Sequence, residues 1–179
     1  MKALKNLGYL LLLGVLGLAL VGLYLPSSAA IERRVTIAAT PNALFQLLED
    51  PQSFPHWSPW SNPGADVRYA FDGPASGVGS SVQWEGGAFP MSSGSYTITR
   101  TEPDRRVSLR LQLPLLGKTQ STLEIEPSPE AGRTQVVWRF YDDVGLNLPR
   151  RVLWLLADVT LGPQFERGLG KLRAVAERR

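Results

Sequence analysis

Six short segments in which apolar and polar residues alternate, followed by one long helical segment, constrain the fold of this chain most strongly. The clearest alternation runs from Val107 to Leu113, where every second residue is apolar. A strand with this period buries one face and exposes the other. The other segments are 67–71, 78–85, 95–101, 119–126 and 134–141. Because no helical segment separates the six, we expect one antiparallel, meandering sheet.

The last part of the chain changes to a helical period. Apolar residues recur at spacings of three and four, and they predict a buried face made of Val152, Leu155, Leu156, Val159, Phe165, Leu169, Leu172 and Ala176. Gly162-Pro163 interrupts the pattern, so we expect either a kink or two consecutive helices, the second beginning at Pro163. A sheet with one wide apolar face and a terminal helix to cover it predicts a two-layer α+β domain.

A strand and a short helix are predicted before this sheet. The strand covers Ile31 to Ile37, where the side chains again alternate between apolar and polar. Thr40 can cap the helix that follows, and Pro41 suits its first position. Asp50-Pro51 then ends the helix, because the residue before a proline disfavours the helical conformation.

An uncharged apolar segment from Leu7 to Leu25 precedes the domain. As a helix it would span about 28 Å, enough for the hydrocarbon core of a bilayer. We therefore divide the chain into residues 1–30, a short cytoplasmic stub with a single transmembrane anchor, and residues 31–179, the folded domain. Lys2 and Lys5 lie before the apolar segment, which predicts an extracytoplasmic location for the domain.

A cleaved signal peptide is the alternative interpretation of the same segment. Ser28-Ala29-Ala30 has the small residues that signal peptidases prefer, and a cleaved domain would be secreted. The apolar run is longer than the usual signal core of about 7–15 residues, which favours a retained anchor.

Composition excludes several functional classes. The chain has no cysteine, so cysteine-based metal and nucleophilic chemistry is excluded. The net charge is +3, but Lys2 and Lys5 precede the apolar segment, which leaves 17 basic against 16 acidic residues from Ile31 onward. We therefore expect no nucleic-acid partner. His56 is the single histidine, so a multi-histidine metal site is excluded, and we expect this side chain on the surface or in a loop. We expect no metal and no cofactor.

Several short motifs occur in a fixed order along this succession of elements. They are Ile31-Glu32-Arg33, Thr40-Pro41, Trp57-Ser58-Pro59-Trp60, Gly73 to Gly79, Trp84-Glu85 and Gly162 to Leu169. In this order they resemble the START/Bet v 1-like (SRPBCC) superfamily, in particular its polyketide cyclase/dehydrase and lipid-transport group. The resemblance covers the chain from Ile31 to its end, and it is specific for the fold rather than for an activity.

The resemblance implies a helix-grip fold, in which a curved antiparallel sheet of six or seven strands wraps around the long C-terminal helix and encloses a hydrophobic cavity. Together with the aromatic-rich inward faces and the predicted anchor, the resemblance favours a hydrophobic small molecule or a lipid as the ligand, and binding in preference to catalysis. The predicted ligand-binding residues are Trp57, Trp60, Tyr69, Trp84, Tyr96, Leu109, Leu111, Leu123, Trp138, Phe140, Leu155, Val159, Phe165 and Leu169. Phe71 is expected to face inward with them.

Three alternatives stay open at this stage. Apolar residues at these spacings can form plain core instead of a ligand site, and Trp57 and Trp60 in particular can seal one end of it. A cyclase or dehydratase would need a buried acid or a polar group, for which Glu85 and Tyr96 are candidates, with Asp142 and Asp143 as further acids. Large inward side chains could also fill the cavity and leave a structural or interaction module.

Overall fold

Seven strands and one long helix make up most of residues 28–61, 66–86, 91–114, 116–145 and 147–178, which the computed structural model describes together with isolated positions before Ser28. The strands are β1 (Ser28–Ile37), β2 (Arg68–Asp72), β3 (Ser81–Glu85), β4 (Ser93–Glu102), β5 (Arg106–Leu113), β6 (Gly117–Pro127) and β7 (Thr134–Asp143). The helices are α1 (Pro41–Glu49), α2 (Phe54–Trp57) and α3 (Leu148–Ala176), with a short 3-10 turn at Pro51–Ser53.

The strands form one antiparallel sheet in the order β1-β7-β6-β5-β4-β3-β2. From β2 to β7 each strand pairs with its neighbour in sequence, which confirms the predicted meander, and β1 joins the sheet beside β7. β1 begins at Ser28, which pairs with Asp143, three residues before the alternation predicted. The pairing partner therefore sets where this strand begins.

The short helices begin where their capping residues predict. The Thr40 hydroxyl accepts a hydrogen bond from the Ala43 amide at 3.3 Å, with Pro41 in the first turn of α1. Asp50 follows α1 and accepts from the Gln52 amide at 2.8 Å, which begins the 3-10 turn. These caps direct the chain from the end of α1 into α2 and the tryptophan-rich segment after it.

α3 continues through Pro163 as one helix of 29 residues, so the expectation of two consecutive helices is wrong. Arg33 of β1 forms ion pairs with Asp158 at 2.9 Å and with Glu166 at 2.7 Å, about one turn on each side of Gly162. A Cβ atom on Gly162 would lie 2.2 Å from the Arg33 guanidinium, so the glycine makes room for this contact. β1 therefore holds the helix on both sides of the proline.

A ladder of charged side chains crosses the outer face of the sheet. Arg139 donates to Glu32 at 2.7 Å and also contacts Glu124. Arg106 continues the ladder to Glu124 at 3.1 Å and to Glu102 at 3.5 Å. Five adjacent strands, from β1 to β4 in the sheet order, are linked in this way.

Acid is expected to weaken this ladder at Glu32. The hydrogen bonds from Arg139 and then from Arg34 lower the pKa of Glu32, so its contribution to stability is present at neutral pH and is lost as the pH falls through that lowered pKa. The change is about 0.5 kcal/mol, because the carboxylate is partly exposed and solvent screens it. Urea unfolding at pH 7 and pH 3 should show a smaller pH dependence for Glu32→Gln than for the matched surface variant Glu130→Gln. Equal pH dependence in the two variants would contradict the assignment.

No helix among the described residues is both long enough and apolar enough to cross a membrane. The predicted anchor, Leu7 to Leu25, falls mostly outside those residues. It stays a prediction from the sequence.

Candidate ligand-binding interior

The inner face of the sheet packs against α3 and forms the interior of the domain. Alternate residues of β3 to β7 point inward. Phe54 and Trp60 cover those of β3 and β4, and α3 covers those of β7 with Phe165 and Trp154. Most of the predicted ligand-binding residues are buried on these faces: Trp84, Tyr96, Leu109, Leu111, Leu123, Trp138, Phe140, Phe165 and Leu169. The structure thus brings them into one interior, as their spacing predicted.

At one side of this interior six rings form an aromatic cluster, which consists of Phe54, Trp57, Trp60, Tyr69, Trp84 and Tyr96. Phe54 lies at its centre, with ring centroids 5.0 Å from Trp57 and 4.9 Å from Tyr96. Trp60 stacks on Trp84 at 4.5 Å with an interplanar angle of 11°. These rings fill space for one another, so their contacts favour the sealing role over that of a ligand gate.

Two indole N–H groups of the aromatic cluster are buried without a hydrogen-bond partner. They are the Nε1 atoms of Trp57 and Trp60, and the Tyr69 hydroxyl is in the same situation. Trp84, by contrast, donates its Nε1 hydrogen to the Met91 carbonyl at 3.3 Å. Tryptophan and tyrosine usually satisfy such groups when buried, so this part of the cluster retains unused donors.

Trp138 connects the aromatic cluster to α3. Its ring stacks on Phe165 at 4.6 Å and meets Trp57 edge to face at 5.7 Å. Its Nε1 donates to the Ser121 hydroxyl at 2.7 Å. A Cβ atom on Gly168 would lie 3.0 Å from the Trp138 ring, so this glycine allows α3 to approach closely.

Lys171 fixes the C-terminal half of α3 to the loop that carries Trp60. Its Nζ donates to the Ser58 carbonyl at 3.0 Å and also to the Ser61 carbonyl. Burial, and then the nearby charge of Arg167, lower the pKa of Lys171. The two hydrogen bonds to the loop carbonyls are what order this segment.

A polar corner lies at the end of the interior where β1 begins, β7 ends and α3 begins. Asp142 is buried there, forms an ion pair with Arg150 Nη2 at 2.7 Å and accepts a hydrogen bond from Trp154 Nε1 at 2.9 Å. Arg150 also donates to the Lys118 carbonyl at 3.0 Å. The corner thus ties β7, the β5–β6 hairpin and the first turns of α3 together, and it brings a carboxylate and a guanidinium to the end of an apolar interior.

The two candidate catalytic residues fit that role poorly. Glu85 is exposed on β3 and lies 3.7 Å from Arg68, so it is not the buried acid that the enzyme alternative would need. Tyr96 is buried, and burial followed by the charge of Asp50 raises the pKa of its hydroxyl, which makes ionisation to a tyrosinate base still less favourable. Asp142 is the buried one among the acids considered from the sequence, while Asp143 is exposed.

Val159 was expected to line the interior, but its side chain is 75% exposed. Trp154, Ala157 and Leu161 define the covered face of this part of α3, and Val159 is two residues from both Ala157 and Leu161. Two residues rotate a helix by about 200°, which places Val159 on the opposite side. Phe71 was also expected inward but is 38% exposed, because it lies on the edge strand β2. The side chain of Leu155 lies outside the described residues.

Metal-ligating residues do not cluster anywhere in the described part of the chain. His56 is exposed at the end of α2, as the sequence predicted. Three clefts of about 290, 400 and 530 Å³ are open to solvent, and none is lined by α3. The interior between the sheet and α3 is the candidate site because most of the predicted ligand-binding residues are buried in it, and not because one of these clefts opens there.

Sequence reasoning missed Arg150, Trp154 and the buried hydroxyl of Thr119 on β6. Arg150 and Trp154 are four residues apart on α3, so both can reach Asp142 from one side of the helix. That spacing was the available signal, but a pairing with Asp142 depends on how α3 approaches β7.

A seven-stranded antiparallel sheet closed over a long C-terminal helix defines the helix-grip class. Residues 28–177 match the model of the family described as polyketide cyclase / dehydrase and lipid transport. The chain belongs to this family.

Solved structures share the fold at low sequence identity. Norcoclaurine synthase from Thalictrum flavum, in complex with dopamine and hydroxybenzaldehyde, has a TM-score of 0.61 and 15% identity, covering 85% of this chain and 88% of that one. The di-domain ARO/CYC StfQ from the steffimycin biosynthetic pathway has a TM-score of 0.64 and 13% identity, covering 85% and 52%. A protein from Chromobacterium violaceum has a TM-score of 0.55 and 14% identity, covering 83% and 98%. No curated protein matches the sequence.

Proposed function

We propose that the chain is a membrane-tethered binding domain for a hydrophobic small molecule or a lipid, held between the sheet and α3. The observation that carries the proposal is the largely apolar inner face of the sheet, which Phe54 and Trp60 cover at β3 and β4 and α3 covers at β7. Membership of a family whose description includes lipid transport supports the same class of ligand. Leu109, Leu111, Leu123 and Phe140 would form the wall on the sheet side.

The position of β1 supports the tether. Only Pro26 and Ser27 separate the apolar segment from Ser28, where β1 begins. A retained anchor would therefore hold the end of the domain that contains the polar corner beside the bilayer. Cleavage after Ala30 would remove three residues that pair with Tyr141, Asp142 and Asp143, so the pairing favours the anchor over a signal peptide cleaved there.

Native mass spectrometry of the full chain, released from lipid nanodiscs, tests the proposal. We expect a bound apolar compound at about one molecule per chain. A mass with no adduct, in a preparation that also fails to bind an added hydrophobic probe, would contradict it.

Leu111→Trp is expected to abolish binding without unfolding the domain. Leu111 is buried on the inner face of β5, so an indole there would occupy ligand space. We expect at least a ten-fold weaker affinity for 2-naphthol, measured by fluorescence in nanodiscs, and an unfolding free energy within about 1 kcal/mol of the wild type. Val159→Trp is the matched control, because that side chain points to solvent.

The same pair of variants tests the cavity-free alternative, which the closely packed aromatic cluster favours. In a filled interior the larger side chain would have no space. Leu111→Trp would then lose about 1–3 kcal/mol or more of unfolding free energy while Val159→Trp stayed stable. That outcome would replace the binding function by a structural or interaction module.

A cyclase- or dehydratase-type enzyme is the second candidate function, and the buried carboxylate of Asp142 favours it. Cyclisation with dehydration releases one water molecule from the substrate. Prolonged incubation of the wild type with its co-purified compound should then lower the mass of that compound by one water, and Asp142→Asn should not. If the mass of the compound is unchanged with both proteins, the enzyme alternative is contradicted and binding remains as the proposed function.

A further inference from the structure

The inner face of the sheet is largely apolar, but three buried polar residues lie at one end of it. They are Thr119 and Ser121 on β6 and Asp142 on β7. Ser121 is satisfied, because it accepts from Trp138 and donates to the Arg139 carbonyl at 2.9 Å. Asp142 is satisfied by Arg150 and Trp154. The Thr119 hydroxyl is buried without a partner.

Strand register places this hydroxyl beside the polar corner. Gln120 pairs with Tyr141, so Thr119 lies next to the position of Asp142 on the neighbouring strand. Arg150 donates to the carbonyl of Lys118, the residue that precedes Thr119, and the Nε atom of Arg150 is also buried without a partner. Strand register and the contact of Arg150 with Lys118 therefore place two unused polar groups at the same end of the interior. Leaving such groups unsatisfied costs free energy, which a ligand atom could recover.

We propose that Thr119 and Arg150 bind an uncharged oxygen atom of the ligand, a hydroxyl or a carbonyl, at the polar corner. The inference rests on the proposed binding function and specifies its ligand as an apolar body with one oxygen at its end. Arg150 Nε can only donate, whereas the threonine hydroxyl can donate or accept, so one acceptor oxygen can satisfy both. Asp142 already neutralises the guanidinium at 2.7 Å, which disfavours a carboxylate as the bound group.

Two probes of the same size test the proposal, 2-naphthol and 2-methylnaphthalene, which differ in a hydroxyl and a methyl group. With the full chain in nanodiscs, we expect the wild type to bind 2-naphthol about ten-fold more tightly, after subtraction of partitioning into empty discs. Thr119→Val keeps the shape of the side chain and removes its hydroxyl. It should reduce the preference to about two-fold. 2-Naphthoic acid should bind the wild type more weakly than 2-naphthol.

Thr122→Val is the matched control, since it makes the same substitution on the opposite face of β6. It should retain the full preference for 2-naphthol. Equal binding of the two probes by the wild type, or an unchanged preference in Thr119→Val, would overturn the polar corner as a ligand site while leaving hydrophobic binding intact. Failure of both probes to bind the wild type would overturn the proposed function as well. Circular dichroism of each variant identifies any loss of binding that comes from unfolding.

Discussion

Replacing Gly94 by alanine is expected to cost about 2–3 kcal/mol of unfolding free energy, although the substitution adds only one methyl group. A Cβ atom at this position of β4 would lie 2.3 Å from Cζ2 of Trp84 and within 3 Å of two further ring atoms. Trp84 cannot move away freely, because it stacks on Trp60 and donates to the Met91 carbonyl. The clash would therefore disturb the whole aromatic cluster.

Urea unfolding, followed by tryptophan fluorescence, measures this effect. Gly170→Ala is the control: nothing lies within 4 Å of a Cβ atom there, and alanine should stabilise the helix by about 0.5–1 kcal/mol. The same chemical change should thus have opposite signs at the two positions. A Gly94→Ala protein as stable as the wild type would show that the cluster is loosely packed and has room to adjust.

Asp142→Ala is expected to have a comparable effect at the other end of the interior, a loss of about 2–3 kcal/mol. The substitution leaves the guanidinium of Arg150 and the indole N–H of Trp154 without their shared acceptor. Removing one member of a buried ion pair typically costs about 3–5 kcal/mol, and the value is discounted because Arg150 is partly exposed.

Three further variants distinguish the loss of the ion pair from the general effect of shortening a side chain at this place. Asp143→Ala, the exposed neighbour, should lose less than about 1 kcal/mol. Asp142→Asn should be intermediate, because an amide oxygen can still accept from Trp154. Adding Arg150→Met to Asp142→Ala should restore part of the stability, since the unpaired cation is removed. Equal effects of Asp142→Ala and Asp143→Ala would contradict the polar corner.

Local chemistry predicted most of the fold. The strand order and the caps of α1 depend on neighbours in sequence, so alternation and capping residues such as Thr40 were sufficient. Two features were harder to predict: which side of α3 faces the sheet, and how much of the edge strand β2 is exposed. Val159 lies between Ala157 and Leu161 in a helix that is apolar on several sides, and only the approach of α3 to the sheet shows which side is covered. Phe71 alternates like an inward residue, but nothing covers the edge strand that carries it.

The candidate site likewise has a part that the sequence predicts and a part that it does not. Its apolar residues follow from period alone, which is why Leu109, Leu111 and Phe140 were found. The polar corner combines Thr119, Asp142 and Arg150 from three separate elements, and no spacing along the chain relates them. Its chemistry depends on strand register and on where α3 begins, and both are properties of the folded chain.

Under the proposed anchoring, the early start of β1 would limit how far the domain can move from the bilayer. With Ser28 already paired in the sheet, the chain between Leu25 and Ser28 can extend only about 10 Å. A domain with such a short linker to its anchor could not carry a ligand across an aqueous gap to a second membrane. It would bind and release its ligand at one bilayer. Delivery of the ligand elsewhere would require a diffusible carrier or an acceptor that comes to the membrane.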